Sequence, residues 1–196
     1  GLLISSVEDN NPVIFIEHRW LHNTLDIVPS EGYRVPIGKA KIVREVRDLT
    51  VVANSFMVLE SIKCADTLKK FGFSIEVLDL RTIRPLDVDS ILKSVTKTGH
   101  LVVADNGWTK FGVSAEIISI VTETIFDNLK NSPARVGMND SPSPSSRSLA
   151  QYFYSGAKNI AKIICEKLNK KIDLDMAFPE SGLPIDIPDQ SFKGPF

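Results

Sequence analysis

Two segments of this chain combine residue types that could hold an anion. In Asp79-Leu80-Arg81-Thr82-Ile83-Arg84-Pro85, two arginines follow an apolar run, and guanidinium groups there could clamp a carboxylate or phosphate through paired N–H donors. The same arginines could equally pair with Asp79, Asp87 or Asp105 and fix the turn. In Gly107-Trp108-Thr109-Lys110-Phe111-Gly112, two glycines bracket a lysine ahead of a helical pattern. Backbone N–H groups at such a helix start can meet a phosphate. A nucleotide-binding P-loop needs Lys and then Ser or Thr directly after its last glycine, whereas Val113 and Ser114 follow here. No GxGxxG is present. The segment reads either as a plain turn with a close backbone approach or as an anion cradle built on Gly107, Trp108 and Gly112.

Other chemistries have weaker support. His18 and His22 stand four apart, a spacing that puts two metal ligands on one helix face. Pro12 before them, with Asn23 and Pro29 after, argues against a stable helix, and no third ligand lies nearby. His100 opens a strand and reads as a packing or hydrogen-bonding residue. There is no GxSxG, no HExxH and no cysteine beside a histidine. Neither a catalytic residue nor a metal ligand is expected in this chain.

The elements that must position these segments alternate from residue 49 onward. Leu49, Thr50, Val51, Val52 and Ala53 read as a strand. Val58, Ile62, Ala65 and Leu68 then fall at helical spacing, with Gly72 closing the helix. Residues 75–80 form the next strand. Asp87 introduces a helix with Val88, Ile91, Leu92 and Val95 on one face, ended by Gly99. Residues 101–104 make a third strand, leading through the glycine loop to a helix carrying Val113, Ile117, Ile120, Val121 and Phe126. Residues 134–137 form a short last strand, residues 140–148 a Ser/Pro loop, and Ile160, Ile163, Ile164 and Leu168 a final helix. This order implies an α/β fold, a mostly parallel open sheet with helices on both faces. The Arg81 and Gly107 loops follow strands in the same sense, so both should emerge, adjacent, at the carboxyl end. Upstream, residues 2–8 read as a helix, residues 13–16 as a strand buried on both faces, and residues 17–38 as a polar linker.

Composition narrows the function classes. At 196 residues the chain can bury roughly 70% of its unfolded surface, so it needs no metal or disulfide staple. Lys+Arg at 23 against Asp+Glu at 24 leaves a net charge of −1, which argues against a nucleic-acid or anionic-membrane binder. No apolar run approaches the ~18 residues of a membrane span. Cys64 and Cys165 stand alone and read as reduced thiols of a cytoplasmic protein. The start at Gly1, with no Met and no basic region, reads as a piece of a longer protein and not as a signal peptide. Pro179, Pro184, Pro188 and Pro195 make the tail extended. Its Phe178, Leu183, Ile185, Ile187, Phe192 and Phe196 suggest that it docks on a surface.

Several segments taken in order are more specific than any of them alone. They are Asn11-Pro12-Val13-Ile14-Phe15-Ile16-Glu17, Pro36-Ile37-Gly38-Lys39-Ala40, the run from Asp79 to Asp87, His100-Leu101-Val102-Val103, and Gly107-Trp108 with Phe111 through Ile117. Together they resemble the C-terminal half of the beta subunit of pyruvate and related 2-oxoacid dehydrogenases, the transketolase C-terminal domain. The likeness runs from about residue 11 to about residue 148. It implies a division into residues 1–20, the end of a truncated pyrimidine-binding domain; 21–40, a linker; 41–170, the transketolase C-terminal-like domain; and 171–196, an extended tail.

The resemblance implies a parent enzyme that uses thiamine diphosphate and Mg²⁺, decarboxylates a 2-oxoacid and passes the acyl unit to a lipoyl group on a partner acyltransferase. It also implies that this chain alone binds neither cofactor nor metal and is inert, because the activating glutamate and the GDG diphosphate motif belong elsewhere. Its expected partners are the pyrimidine-binding domain, a diphosphate-binding alpha subunit or domain, and a second copy of itself, with Val13, Phe15, Glu17 and Trp20 as interface residues. Asp105-Asn106 and the loop after Glu17 depart from the usual dehydrogenase wording. That leaves a transketolase-like carboligase as an alternative parent, and a stand-alone anion-binding module as an alternative of another class.

Overall fold

Strands written mostly in apolar residues must be covered on both sides, and the chain builds its architecture around β-runs of this kind at residues 49–53, 75–79 and 101–104. The computed structural model describes residues 1–22 and 24–179. In chain order the elements are α1 (Leu2–Glu8), β1 (Lys41–Arg44), β2 (Leu49–Ala53), α2 (Phe56–Lys69), β3 (Ile75–Asp79), α3 (Val88–Thr98), β4 (Leu101–Trp108), α4 (Val113–Ile125), β5 (Ala134–Met138), α5 (Arg147–Phe153), α6 (Ala157–Lys167) and α7 (Leu174–Ala177), with a short 3-10 turn at Arg19–Leu21. The sheet order is β1-β3-β2-β4-β5. β2, β3, β4 and β5 run parallel, and β1 lies antiparallel on the β3 edge.

Alternate residues of each central strand feed two separate cores, as the period of two requires. Val51, Ala53, Ile75, Val77, Val102 and Ala104 face one layer, in which α2 packs on α6 through Cys64, Leu68, Ile160 and Ile164. Val52, Leu78, Leu101 and Val103 face the other, where α3 and α4 pack through Ile91, Val95, Ile117 and Val121. A mostly parallel α/β sheet covered on both faces is what the alternation implied.

The second layer holds a polar seam. Glu76 is fully buried and accepts hydrogen bonds from Ser94 Oγ and Lys97 Nζ. Beside it Thr50 Oγ1 meets Ser94 Oγ at 2.8 Å and Thr98 Oγ1 at 2.9 Å. Asp87, 5% exposed, caps α3 and also accepts from the Ala40 N–H at 2.9 Å, which ties the segment leading into β1 to the sheet. Burial alone would raise its carboxyl; donors from Ala40 and Ser90, helped by Lys39, outweigh that and hold it below the ordinary carboxylate range.

Several expectations need correction. Residues 13–16 form no strand: Ile14 is 88% exposed and Ile16 84%. A strand persists only where a neighbouring ladder takes its N–H and C=O groups, and no described strand lies beside this run. Gly107 and Trp108 are the end of β4 and not part of a loop. Phe126 lies beyond α4 and is 65% exposed. The Ser/Pro segment gives way to α5 at Arg147. Phe178 packs at the margin of the first core, whereas the expected docking of the tail from residue 180 onward lies outside the described residues.

Candidate functional site

The carboxyl ends of β2, β3 and β4 gather the chemistry-bearing residues. β2 continues through α2 to β3 on one side, and β4 through α4 to β5 on the other. The chain therefore diverges between β2 and β4, the position where open α/β sheets form a ligand crevice.

Asn54 and Asp105 occupy that crevice. Each follows an alanine that ends the apolar part of its strand. Asn54 Nδ2 donates to Asp105 Oδ1 at 3.2 Å, and the Gly107 N–H donates to the same oxygen at 3.2 Å. Asp105 is 7% exposed, so these donors replace water around it. Gly107 therefore spends its N–H on a carboxylate of its own strand. Gly112, just before α4, is dictated by a close approach: a Cβ there would lie 2.3 Å from the Trp108 carbonyl oxygen.

Three non-glycine residues at this end have positive φ: Ser55 at 49°, Arg81 at 57° and Phe111 at 56°. Left-handed backbone is uncommon outside glycine and costs energy. Each lies in the turn that follows a parallel strand, β2, β3 or β4. The strain is thus concentrated on one rim. It displays Phe111 entirely to solvent and leaves Trp108 52% exposed.

The Arg81 loop is organised around Asp79. The Arg81 N–H donates to Asp79 Oδ1 at 3.1 Å, and its guanidinium Nε lies 3.9 Å from Oδ2. Burial pushes the Asp79 carboxyl up, and the Arg81 N–H, the Arg81 charge and Lys41 oppose the rise. Thr82 Oγ1 donates to the Pro85 carbonyl and accepts from the Gly38 N–H, both at 3.0 Å. Arg84 is exposed, with no ion pair among the described residues. The Arg81 and Gly107 segments emerge at the same end of the sheet with Asn54 between them. Of the five anion candidates, Arg81 faces a carboxylate of its own loop, Gly107 donates inward, Gly112 makes room for a carbonyl, and Arg84 and Trp108 face solvent.

The N-terminal candidates part company. Val13 and Phe15 are 41% and 39% exposed, and Glu17 lies 3.6 Å from His22 Nε2. Trp20 packs edge-on against Phe56 of α2 with ring centroids 5.1 Å apart, while His18 stacks on Phe56 at 5.1 Å and 15°. His18 Nδ1 accepts from the Trp20 N–H at 3.3 Å, and burial lowers its pKa. His18 thus holds a turn, and His22 joins a carboxylate. Among the described residues no three His, Cys, Asp or Glu side chains are grouped to hold a metal ion, and no helix is long and apolar enough to cross a membrane.

Sequence reasoning missed the Asn54–Asp105 pair. Its signal was present: two apolar strands end alike, Val-Ala-Asn and Val-Ala-Asp, and polar side chains at that position face the crevice of a parallel sheet.

Comparison with known proteins places this geometry. The model of the family described as "Transketolase, C-terminal domain" matches residues 38–160. A pyruvate dehydrogenase E1 component subunit beta of Staphylococcus epidermidis is 41% identical over 145 residues, covering 74% of this chain and 45% of that protein. The Bacillus subtilis protein of the same name is 40% identical over 148 residues, covering 75% and 46%. The chain thus spans less than half the length of these curated relatives. A solved structure of a split-gene transketolase, an inactive beta4 tetramer, superposes with a TM-score of 0.62 at 22% identity, over 71% of this chain and 45% of that one; it bears on the fold alone. The core, the parallel order and the match from residue 38 to residue 160 agree, and the chain belongs to the transketolase C-terminal domain family.

Proposed function

We propose that the chain is the C-terminal assembly domain of a thiamine diphosphate-dependent 2-oxoacid dehydrogenase, equivalent to the second half of a pyruvate dehydrogenase-like beta subunit. The observation that carries this reading is the 41% identity over 145 residues to beta subunits of that name. In it, the parent decarboxylates a 2-oxoacid in the cytoplasm and hands the acyl unit to a lipoyl carrier. Residues 1–20 end a pyrimidine-binding domain, residues 21–40 link, residues 41–170 form the assembly domain and residues 171–196 its tail. The partners are the pyrimidine-binding domain, a diphosphate-binding alpha subunit and a second copy of the chain. The solvent-facing apolar run at residues 13–16 supports this, because contiguous exposed apolar surface marks an interaction site. Arg84, Trp108 and Phe111 offer a second contact surface at the carboxyl end.

The residues present do not fit the cofactor. A diphosphate with Mg²⁺ needs several oxygen ligands and N–H donors aimed at the phosphates. Asp79 is engaged by Arg81, and Asp105 by Asn54 and Gly107. No step of the reaction is assigned to them; this chain's part is to present surfaces.

Reconstitution tests the reading. The complete beta subunit carrying this domain, combined with its alpha partner, thiamine diphosphate and Mg²⁺, is expected to release CO₂ from a 2-oxoacid and reduce an artificial electron acceptor. Two-carbon transfer between sugar phosphates without such release would replace it with a transketolase. The 196-residue chain alone is expected to give no saturable heat with thiamine diphosphate and Mg²⁺; micromolar binding would move the cofactor site into this domain.

A further inference from the structure

At the opposite, amino end of the sheet, the segments entering β2, β4 and β5 converge with the end of α6. There Arg47, Asp48, His100, Lys130, Leu168 and Lys170 line a cavity of about 250 Å³. Three of the six are cations and one is an anion. Asp48 is turned to structural use, its Oδ2 accepting from the Ser74 N–H at 3.0 Å. Lys130 Nζ donates to the Thr98 carbonyl at 3.0 Å, and Lys170 Nζ donates to the Gly72 carbonyl at 3.1 Å. An ammonium has three N–H donors, so Lys130 keeps two beyond this bond, while Lys170 Nζ also sits over the Phe73 ring, 4.7 Å from its centroid. The Arg47 guanidinium has neither a hydrogen bond nor an ion pair among the described residues.

His100 adds an unsatisfied polar atom to the residues of this lining. Its backbone is fully used: its N–H reaches Thr98 Oγ1, and its carbonyl accepts from the Thr50 N–H at 3.0 Å. Its ring Nδ1 is buried and has no partner. Buried polar atoms nearly always have one, and the half-buried residue that carries this one lines the cavity together with Arg47, Lys130 and Lys170. The packing or hydrogen-bonding role read from the sequence thus describes the backbone of His100 but not its ring.

We propose that this cavity is a binding site for a phosphate group, either the free dianion or the phosphoryl end of a larger molecule. The lining carries a formal surplus of two positive charges, which a dianion matches and a single carboxylate half-matches. The donors arrive from four separate segments, which suits a tetrahedral group with oxygens in several directions. The cavity is open to solvent, so a larger molecule can present a phosphoryl end to it. The site lies one strand length, roughly 15 Å, from the carboxyl end, and it stands independently of the assignment to a dehydrogenase.

The test is calorimetric titration of the 196-residue chain with inorganic phosphate and with pyrophosphate, against sodium chloride at matched ionic strength. Saturable binding of either anion is expected. Arg47→Gln should weaken it about tenfold, while Lys93→Gln, on the exposed face of α3, should leave it unchanged. Equal affinities identify a site for the free anion; pyrophosphate tighter by tenfold or more identifies one for a phosphoryl end. Nitrogen NMR of the unaltered chain gives a second readout: the His100 ring resonances should shift on phosphate addition and not with chloride. Heats that match chloride, equal weakening by both variants, or an unmoved His100 ring would overturn the proposal.

Discussion

Asn54 Nδ2 and Asp105 Oδ1 meet at 3.2 Å across the gap where the chain diverges to opposite sides of the sheet. This bond joins the ends of β2 and β4, and Asp105 is too buried to replace it with water. Asn54→Ala should therefore destabilise the domain by about 1–3 kcal/mol, with an unchanged denaturant slope, measured by urea unfolding. An effect near zero would mean that the carboxylate finds another donor.

The Glu76–Lys97 pair is expected to be strongly non-additive. Glu76 is fully buried and Lys97 is its charge partner, with Ser94 completing the seam. Lys97→Met should cost about 3 kcal/mol by stranding a buried carboxylate. Adding Glu76→Gln should recover most of that loss. Unfolding midpoints of the two single variants and the double variant close the cycle.

Acidification should loosen the 18–22 segment from α2. Burial lowers the His18 pKa below the ordinary value of about 6.5. The unfolded segment therefore binds protons first as pH falls. The neutral ring's contribution is complete above pH ~6.5 and is lost as pH drops through the folded value. Protonation also removes the acceptor for the Trp20 N–H. In a Trp108→Phe background, Trp20 fluorescence should change as pH falls below about 6.5, and His18→Phe should flatten the response.

Both thiols should be inert in the folded chain. Burial first, then the nearby Cys165 and Glu60, push the Cys64 thiol up; burial and Glu166 raise Cys165. Both side chains lie in the α2–α6 layer. Ellman's reagent at pH 8 should release no thiolate within minutes and two equivalents once denaturant is added. Rapid release of one equivalent would show that the layer opens.

The sequence made the doubly covered strands legible, because Leu49 to Ala53 and Leu101 to Ala104 leave no polar face to misread. β1 was not legible: Lys41-Ile42-Val43-Arg44 is an edge strand with a mostly exposed face, so its charges look like linker. Residues 13–16 misled for the opposite reason. Four apolar residues announce burial but not what does the burying. At the site, the arginines stood out by type, but their pairing did not. Asp79 captures Arg81 only because residue 81 turns left-handed, a conformation that its identity gives no reason to expect.

β1 has one further consequence, for solubility. β3 is buried along most of its length, and a strand left uncovered at a sheet edge is a template for pairing with another chain. β1 covers that edge with Lys41 and Arg44, and its register slips between Ile42 and Arg44, an irregularity that discourages further strand addition. A version of this domain cut to begin at residue 49 would uncover β3 and should form aggregates that light scattering detects while the full chain stays clear. Four residues that contribute little to either core thus act as the molecule's guard against polymerisation.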